Sequence, residues 1–378
     1  MLPLQGVRVI EFCEVASGPF CGMLLADFGA DVIKVEKSDG GDALRQWPPL
    51  NHGDSENFAS LNRNKRSIAL DLKDPAQRDI ARRLCLSADV VLENYRPGAM
   101  ARNGLGYADL SPEKPSLVMA SISAYGQEGP RANEGGFDVV IQAVGGIMSV
   151  TGEADSDPVK CGVPVSDFSA GLYAAFAIVT ALRHAEATGQ GAHLDIPMLG
   201  TTLAIAALQT SEYFGTGKSP RKLGSAHPRN APYQAFRAQD GFFVLAAGND
   251  KLWRSVCEMV ALPELVGDSR FIDTTSRCTN QAALKHLLES VFRMRTSAHW
   301  IEQCAMRGIP CGPINDYATA LADSQVAATE LVQDLDLPNG ARTKTVVSPL
   351  RFGETQFGVR RRPPALDEHR TEILSELP

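Results

Sequence analysis

Val7-Arg8-Val9-Ile10-Glu11-Phe12, then Gly18-Pro19, then Phe20 to Phe28, then Ala30-Asp31-Val32-Ile33-Lys34-Val35-Glu36: this run decides the fold class. The first and last segments read as buried strands. Gly18-Pro19 predicts a turn between them, and Phe20 to Phe28 a helix. Strand, helix, strand at this spacing is a βαβ unit, which requires a parallel sheet with a right-handed crossover. Outward from it the pattern continues. Ser67 to Leu72 reads as a strand, Asp74 to Ser87 as a helix, and Ala88 to Asn94 and Leu117 to Ser123 as further strands. The first half is therefore expected to be a Rossmann-like, doubly wound α/β domain.

The middle changes character. Phe168 to Glu186 and Leu199 to Tyr213 predict long helices with apolar residues on most faces, suited to burial at an interface. Gly215 to Asn230 predicts a mobile loop, and Gln234–Arg237 with Gly241–Ala247 a strand pair. Helices are expected at Lys251–Val260, Asn280–Arg293 and Ser297–Met306, and a strand at Thr343–Val347. The resulting division is a large α/β domain over residues 1–215, a smaller α+β domain over 216–326, and a return segment, 327–378, that completes the large domain.

Composition narrows the function. The 378 residues are 44% hydrophobic and 21% charged, ordinary for a globular chain, and the net charge of −7 argues against a nucleic-acid surface. Eight scattered cysteines without a C-x-x-C pair signal neither zinc nor a disulfide framework. The N-terminus lacks the basic region of a signal peptide, and the apolar stretch Ala170 to Leu182 falls short of a bilayer span. The expectation is a soluble cytoplasmic protein with no membrane and no nucleic-acid partner.

Glu36, at the end of the second strand, mimics a ribose-binding acid. The first strand nevertheless runs into Cys13-Glu14-Val15-Ala16-Ser17-Gly18-Pro19 and lacks the G-x-G-x-x-G turn that admits a pyrophosphate. No phosphate loop and no G-x-S-x-G elbow occur either, and no histidine pair has ligand spacing, so neither a metal nor a nucleotide cofactor is expected. Asp167, in Gly162-Val163-Pro164-Val165-Ser166-Asp167-Phe168, precedes a long apolar helix; its carboxylate suits either a helix cap or a nucleophile. Arg63, Lys65 and Arg66 before a strand suit either an anion such as a phosphorylated adenosine or a solvated charged turn.

Taken with Ser17-Gly18-Pro19, Gly29 to Glu36, Asn64-Lys65-Arg66-Ser67-Ile68, Glu93-Asn94-Tyr95-Arg96-Pro97-Gly98, Ser123-Ala124-Tyr125-Gly126, Gly162 to Gly171 and Gly308 to Pro313, the chain resembles the class III CoA-transferases. That family includes formyl-CoA transferase, carnitine CoA-transferase and α-methylacyl-CoA racemase. The resemblance covers nearly the whole chain, with the motifs in the family's order. It implies an interlocked homodimer that moves coenzyme A from an acyl-CoA thioester to a carboxylic acid. It also implies that Asp167 is the nucleophile, forming a mixed anhydride and then an aspartyl-CoA thioester, its ionisation favoured by the helix N-terminus.

By the same resemblance, Val15, Ala16, Ser17, Lys37, Leu70, Lys73, Asn94, Tyr95, Arg102 and Phe137 fall at or beside CoA-contacting positions, and Asp138 matches an acid near the nucleophile. Ala16 stands where formyl-CoA transferase has Gln. That enzyme's glycine-rich flap is replaced by a segment containing Gly224, Ser225, His227 and Arg229; with Lys222, its basic residues suit a second carboxylate. This favours a dicarboxylate acceptor and a succinyl-CoA-dependent relative. Racemases of the family carry His in a Gly-His-Asp segment where this chain has Gly136-Phe137-Asp138, and phenylalanine exchanges no proton. A 2-methylacyl-CoA racemase is the alternative within the family, and a non-catalytic CoA-binding subunit the alternative outside catalysis.

Overall fold

The structure, a computed structural model, describes residues 1–377. One sheet holds β1 (Arg8–Phe12), β2 (Asp31–Glu36), β3 (Lys65–Ala69), β4 (Val90–Glu93), β5 (Val118–Ser123) and β6 (His193–Pro197). The strands lie in the order β3-β2-β1-β4-β5-β6, and every neighbouring pair is parallel. The chain winds outward from β1 to β3, then returns to set β4 on the other side of β1. Ligand crevices open at such a reversal, beyond the carboxyl ends of the strands.

Helices cover both faces of the sheet. Among the helices of this part of the chain are α1 (Ser17–Asp27), α2 (Pro75–Ser87), α3 (Ala99–Arg102), α4 (Asp138–Val144), α5 (Val165–Thr188), α6 (Met198–Ile205) and α7 (Ala207–Thr216). Successive strand residues point to opposite faces. Val9, Val32 and Leu92 therefore meet Cys21, Leu25, Ala174 and Ile178 of α1 and α5. Ile10, Ile33 and Val91 meet Ala81, Leu84 and Cys85 of α2 on the far face. Burial on both faces is what a parallel sheet needs.

Several boundaries differ from expectation. Helix α1 starts at Ser17, so Gly18-Pro19 forms its first turn rather than a separate turn; proline fits there because its missing N–H would have no partner in the helix. Helix α5 starts at Val165, which puts Asp167 in the first turn instead of ahead of it. Its 24 residues are long and apolar enough to cross a membrane by length and composition. Gly, Tyr and Thr thus do not shorten it, and one face of the helix, with Ala170, Gly171, Ala174, Ile178 and Ala181, packs into the protein. The predicted helix Leu199–Tyr213 is two helices, α6 and α7, parted at Ala206.

Arg63, Lys65 and Arg66 are neither an anion site nor a solvated turn. All three are buried. Arg63 binds Asp27 at 2.7 Å, Lys65 binds Glu11 at 2.8 Å, and Arg66 binds Asp31 at 2.5 Å and Glu376 at 2.7 Å. Glu36 is likewise structural, held by Arg45 and the Ser67 hydroxyl.

By its contacts the chain forms two units. The first comprises Met1–Ile147, Lys160–Ser219 and the chain from Ser324 onward; the second comprises Met148–Val159 and Pro220–Asp323. The second unit has an antiparallel sheet of β7 (Tyr233–Arg237), β8 (Phe242–Ala246) and β9 (Cys311–Pro313). Its core is aromatic, with Phe236, Phe243, Phe292 and Trp300 in edge contact.

Candidate active site

The carboxyl ends of β1, β4 and β5 open into a cleft of about 630 Å³. Val15, Ala16 and Ser17 line it from the turn after β1, and Asn94, Tyr95 and Arg96 from the turn after β4. Ser123 ends β5 and Ala124 follows it, and Phe137 and Asp167 join the lining. Asp167 arrives from distant sequence because α5 lies along α1. A Cβ on Gly171 would stand 2.7 Å from the Ser17 carbonyl, so only glycine lets the two helix starts approach this closely.

Asp167 has no hydrogen-bond or ion-pair partner among the described residues, although its side chain is partly buried. Burial pushes its carboxyl from 3.8 up to about 7, and the nearby Asp138 carboxylate adds to the effect. The expectation that the helix N-terminus keeps it ionised is opposed by burial and by Asp138, both of which favour the protonated form. The cap is Asp138, whose Oδ1 accepts from the Ser166 N–H at 2.9 Å while Oδ2 accepts from Gln142 Nε2 at 2.6 Å. Asp138 does not line the cleft; it fixes the turn that carries Asp167.

The turn after β1 is held in an unusual shape. Val15 has φ of 65°, a left-handed conformation that costs a β-branched residue about 1–3 kcal/mol. Asn94 spans the turn, its Oδ1 accepting from Glu14 N–H at 2.9 Å and its Nδ2 donating to Glu14 O at 2.8 Å. Behind Tyr95, the buried Glu93 carboxyl accepts from the Tyr95 N–H at 2.8 Å, and burial pushes it up to about 7.

A second cavity, about 710 Å³, opens past β2 and β3, lined by Lys37, Leu70, Lys73, Asn103 and Tyr95. Tyr95 lines both cavities. Of the residues singled out as CoA contacts, then, Val15, Ala16, Ser17, Asn94, Tyr95 and Phe137 meet in the cleft, and Lys37, Leu70 and Lys73 meet Tyr95 in its neighbour. Lys37 also pairs with Glu14 at 2.7 Å. Arg102 is exposed at the end of α3 and lines neither cavity.

The flap-like segment belongs to the second unit. Gly224 has φ of 60°, and its N–H donates to Gly152 O at 2.9 Å. Ser225 Oγ accepts from Ala235 N–H at 3.0 Å, and His227 Nδ1 from Arg229 N–H at 3.1 Å. Lys222 donates to the Ser156 and Asp157 carbonyls at 2.8 Å each, so its charge is already engaged.

Sequence reasoning did not assign Arg96 a role. Its guanidinium lines the Asp167 cleft with no carboxylate partner among the described residues. A Cβ on Gly135 would stand 3.1 Å from Arg96 Nη2. Glu14 and Glu134, which share the lining, are paired with Lys37 and Arg131. The available signal was its place immediately after Asn94-Tyr95 at a strand end.

Residues 4–370 match the model of CoA-transferase family III. The chain is 38% identical to succinate–glutarate CoA-transferase of Agrobacterium fabrum, over 99% of this chain and 96% of that protein. It is 36% identical to succinyl-CoA:glutarate CoA-transferase of Homo sapiens, over 99% and 86%. The crystal structure of a CAIB/BAIF family protein from Brucella suis aligns over 100% of both chains at a TM-score of 0.88 and 38% identity.

Proposed function

This chain belongs to CoA-transferase family III and is a CoA-transferase, and we propose that it exchanges CoA between dicarboxylic acids through acyl intermediates on Asp167. One observation carries the reading. A carboxylate with no hydrogen-bond or ion-pair partner among the described residues stands in the cleft where the turns after β1 and β4 meet, beside the residues suited to CoA. The similarity to succinyl-CoA- and glutarate-dependent relatives supports the substrate class.

The reaction balances with no further reactant. An Asp167 oxygen attacks the thioester carbonyl, the C–S bond breaks, and CoA leaves as thiolate, giving a mixed anhydride. The thiolate attacks the Asp167 acyl carbon and releases the donor acid. The acceptor carboxylate then attacks this aspartyl-CoA thioester, expelling the thiolate, which takes the acceptor acyl group and restores the Asp167 carboxylate. Each step builds charge on a carbonyl oxygen. The first N–H groups of α1, which no side chain caps, are suited to receive it. A partly desolvated carboxylate is also a stronger nucleophile than a hydrated one.

Arg96 would take the distal carboxylate of a dicarboxylic substrate, a role Lys222 cannot fill while it serves two carbonyls. Phe137 offers no second base, which favours transfer over racemisation. A second copy of the chain, interlocked with the first, would cover the apolar faces of α5 and α7, where Phe176 is 73% and Phe214 81% exposed.

The test is trapping. The protein is incubated with succinyl-CoA and hydroxylamine, and its peptides are mapped by mass spectrometry. A hydroxamate on Asp167, absent from Asp167→Asn, supports the covalent cycle. CoA transfer to glutarate by Asp167→Asn at the wild-type rate would refute it.

A further inference from the structure

We propose that Asp42, held in place by Lys34, is a positioning residue of the transferase: it clamps the Val15 amide and so fixes the wall of the cleft formed by the turn after β1.

Four buried charges lie under that turn. Glu11 and Lys34 are cross-strand neighbours on β1 and β2 and pair at 3.0 Å. Lys65 takes the other oxygen of Glu11 at 2.8 Å, and Asp42 takes Lys34 at 2.9 Å. All four side chains are fully buried. Two cations and two carboxylates make the group neutral, the condition under which buried charge is tolerated. Burial acts against the charge of both Lys34 and Asp42, yet Glu11 with Asp42 keeps Lys34 above its ordinary range, and Lys34 keeps Asp42 below its own.

The group does more than hold strands together, because two of its remaining bonds end on the cleft turn. Lys34 Nζ donates to the Cys13 carbonyl at 2.7 Å. Asp42 Oδ1 accepts from the Val15 N–H at 3.1 Å and from the Leu44 N–H at 2.9 Å. With Asn94 on both polar groups of Glu14, side chains hold the backbone from Cys13 O to Val15 N. Such restraint is what keeps valine at a positive φ that it otherwise avoids. Ala16, next in the chain, has no polar side-chain atom to reach an acyl group, so the backbone's placement must serve in its stead. The clamp sets that placement.

Two substitutions separate positioning from plain structural support. Asp42→Asn keeps an oxygen for the Val15 and Leu44 amides but loses the charge facing Lys34. Asp42→Ala loses both. Each is expected to lower the melting temperature, since each leaves two buried ammonium groups, Lys34 and Lys65, to share the one carboxylate of Glu11. Only Asp42→Ala is expected to lower kcat, by at least ~10-fold, with KM for the acyl-CoA within ~2-fold of wild type, because a small misplacement of the wall penalises the reacting geometry more than binding. Val15→Gly added to Asp42→Ala should recover part of kcat, since glycine takes a positive φ without strain.

If Asp42→Ala does not fold, the comparison moves to a Lys34→Met background, which removes the excess positive charge and leaves Glu11 paired with Lys65. Crystal structures of the two variants give a readout independent of turnover, so a failed substrate assignment leaves the test intact. Val15 should keep its positive φ in Asp42→Asn and lose it in Asp42→Ala. Equal kcat in the folded variants, or an unchanged Val15 φ in Asp42→Ala, overturns the proposal.

Discussion

Replacing the Asp167 carboxyl by an amide should stabilise the free protein at neutral pH and above. The carboxyl is pushed from 3.8 up to about 7 by burial and by Asp138. Between those values the folded state binds more protons than the unfolded state, so stability falls as pH rises through that window. The cost is absent below 3.8 and complete above about 7. At ~1.4 kcal/mol per pH unit the ceiling is ~4 kcal/mol. Water reaches the side chain through the cleft, and the α5 dipole favours the anion by ~0.3–1 kcal/mol, so ~1–2 kcal/mol is the expected margin. At ~2.1 cal/mol/K per residue over 378 residues, this raises the melting temperature by ~1–3 °C. The assay is thermal unfolding of wild type and Asp167→Asn at about pH 5 and about pH 8, bracketing the upper part of the titration. Asp167→Asn should melt higher at the upper pH, and the gap should shrink at the lower. A gap that is the same at both, or a less stable variant at the upper pH, would refute the argument that burial holds this carboxylate at a cost. The kinetic counterpart, on the proposed mechanism in which the Asp167 anion attacks, is kcat/KM rising with pH through a midpoint near 7.

Three other outcomes are expected. Asp138→Ala removes the acceptor for Ser166 N–H, costing ~1 kcal/mol of stability; by removing a like charge it should also move the kcat/KM midpoint to lower pH, which a pH–rate profile reads directly. Arg96→Met should raise KM for a dicarboxylic acceptor ~10–100-fold, the worth of a charge-assisted hydrogen bond, and leave KM for a monocarboxylic acceptor nearly unchanged in steady-state assays. Gly171→Ala would press a methyl against the Ser17 carbonyl, 2.7 Å from its position; unfolding and kinetics should show a loss of ~1–3 kcal/mol and a lower kcat as α1 and α5 part.

Local sequence determined much of this protein. The alternation of strand and helix signals from Val7 to Ser123 specifies a parallel sheet, because a strand must reach its parallel neighbour through a crossover of one hand. Strand ends marked by Asn94-Tyr95 and Ser17-Gly18 located the turns that line the cleft, since ligands bind beyond the carboxyl ends of such strands. Asp167 was legible as a carboxylate at the start of an apolar helix, and the family resemblance gave it a role. What the sequence could not decide were facts of long-range proximity. Local charge made Arg63, Lys65 and Arg66 look like a solvated or anion-binding turn. Only the fold brings Asp27, Glu11 and Glu376 to them, the last from 310 residues along the chain. On local pattern alone Asp167 suited a helix cap as well as a nucleophile, because Asp caps helices. Only the tertiary structure hands that task to Asp138, leaves the Asp167 carboxyl free of hydrogen-bond partners among the described residues and sinks it deep enough to alter its ionisation. Periodicity and propensity report the bonds a residue makes with near neighbours; desolvation and ion pairing depend on what the rest of the chain places around it.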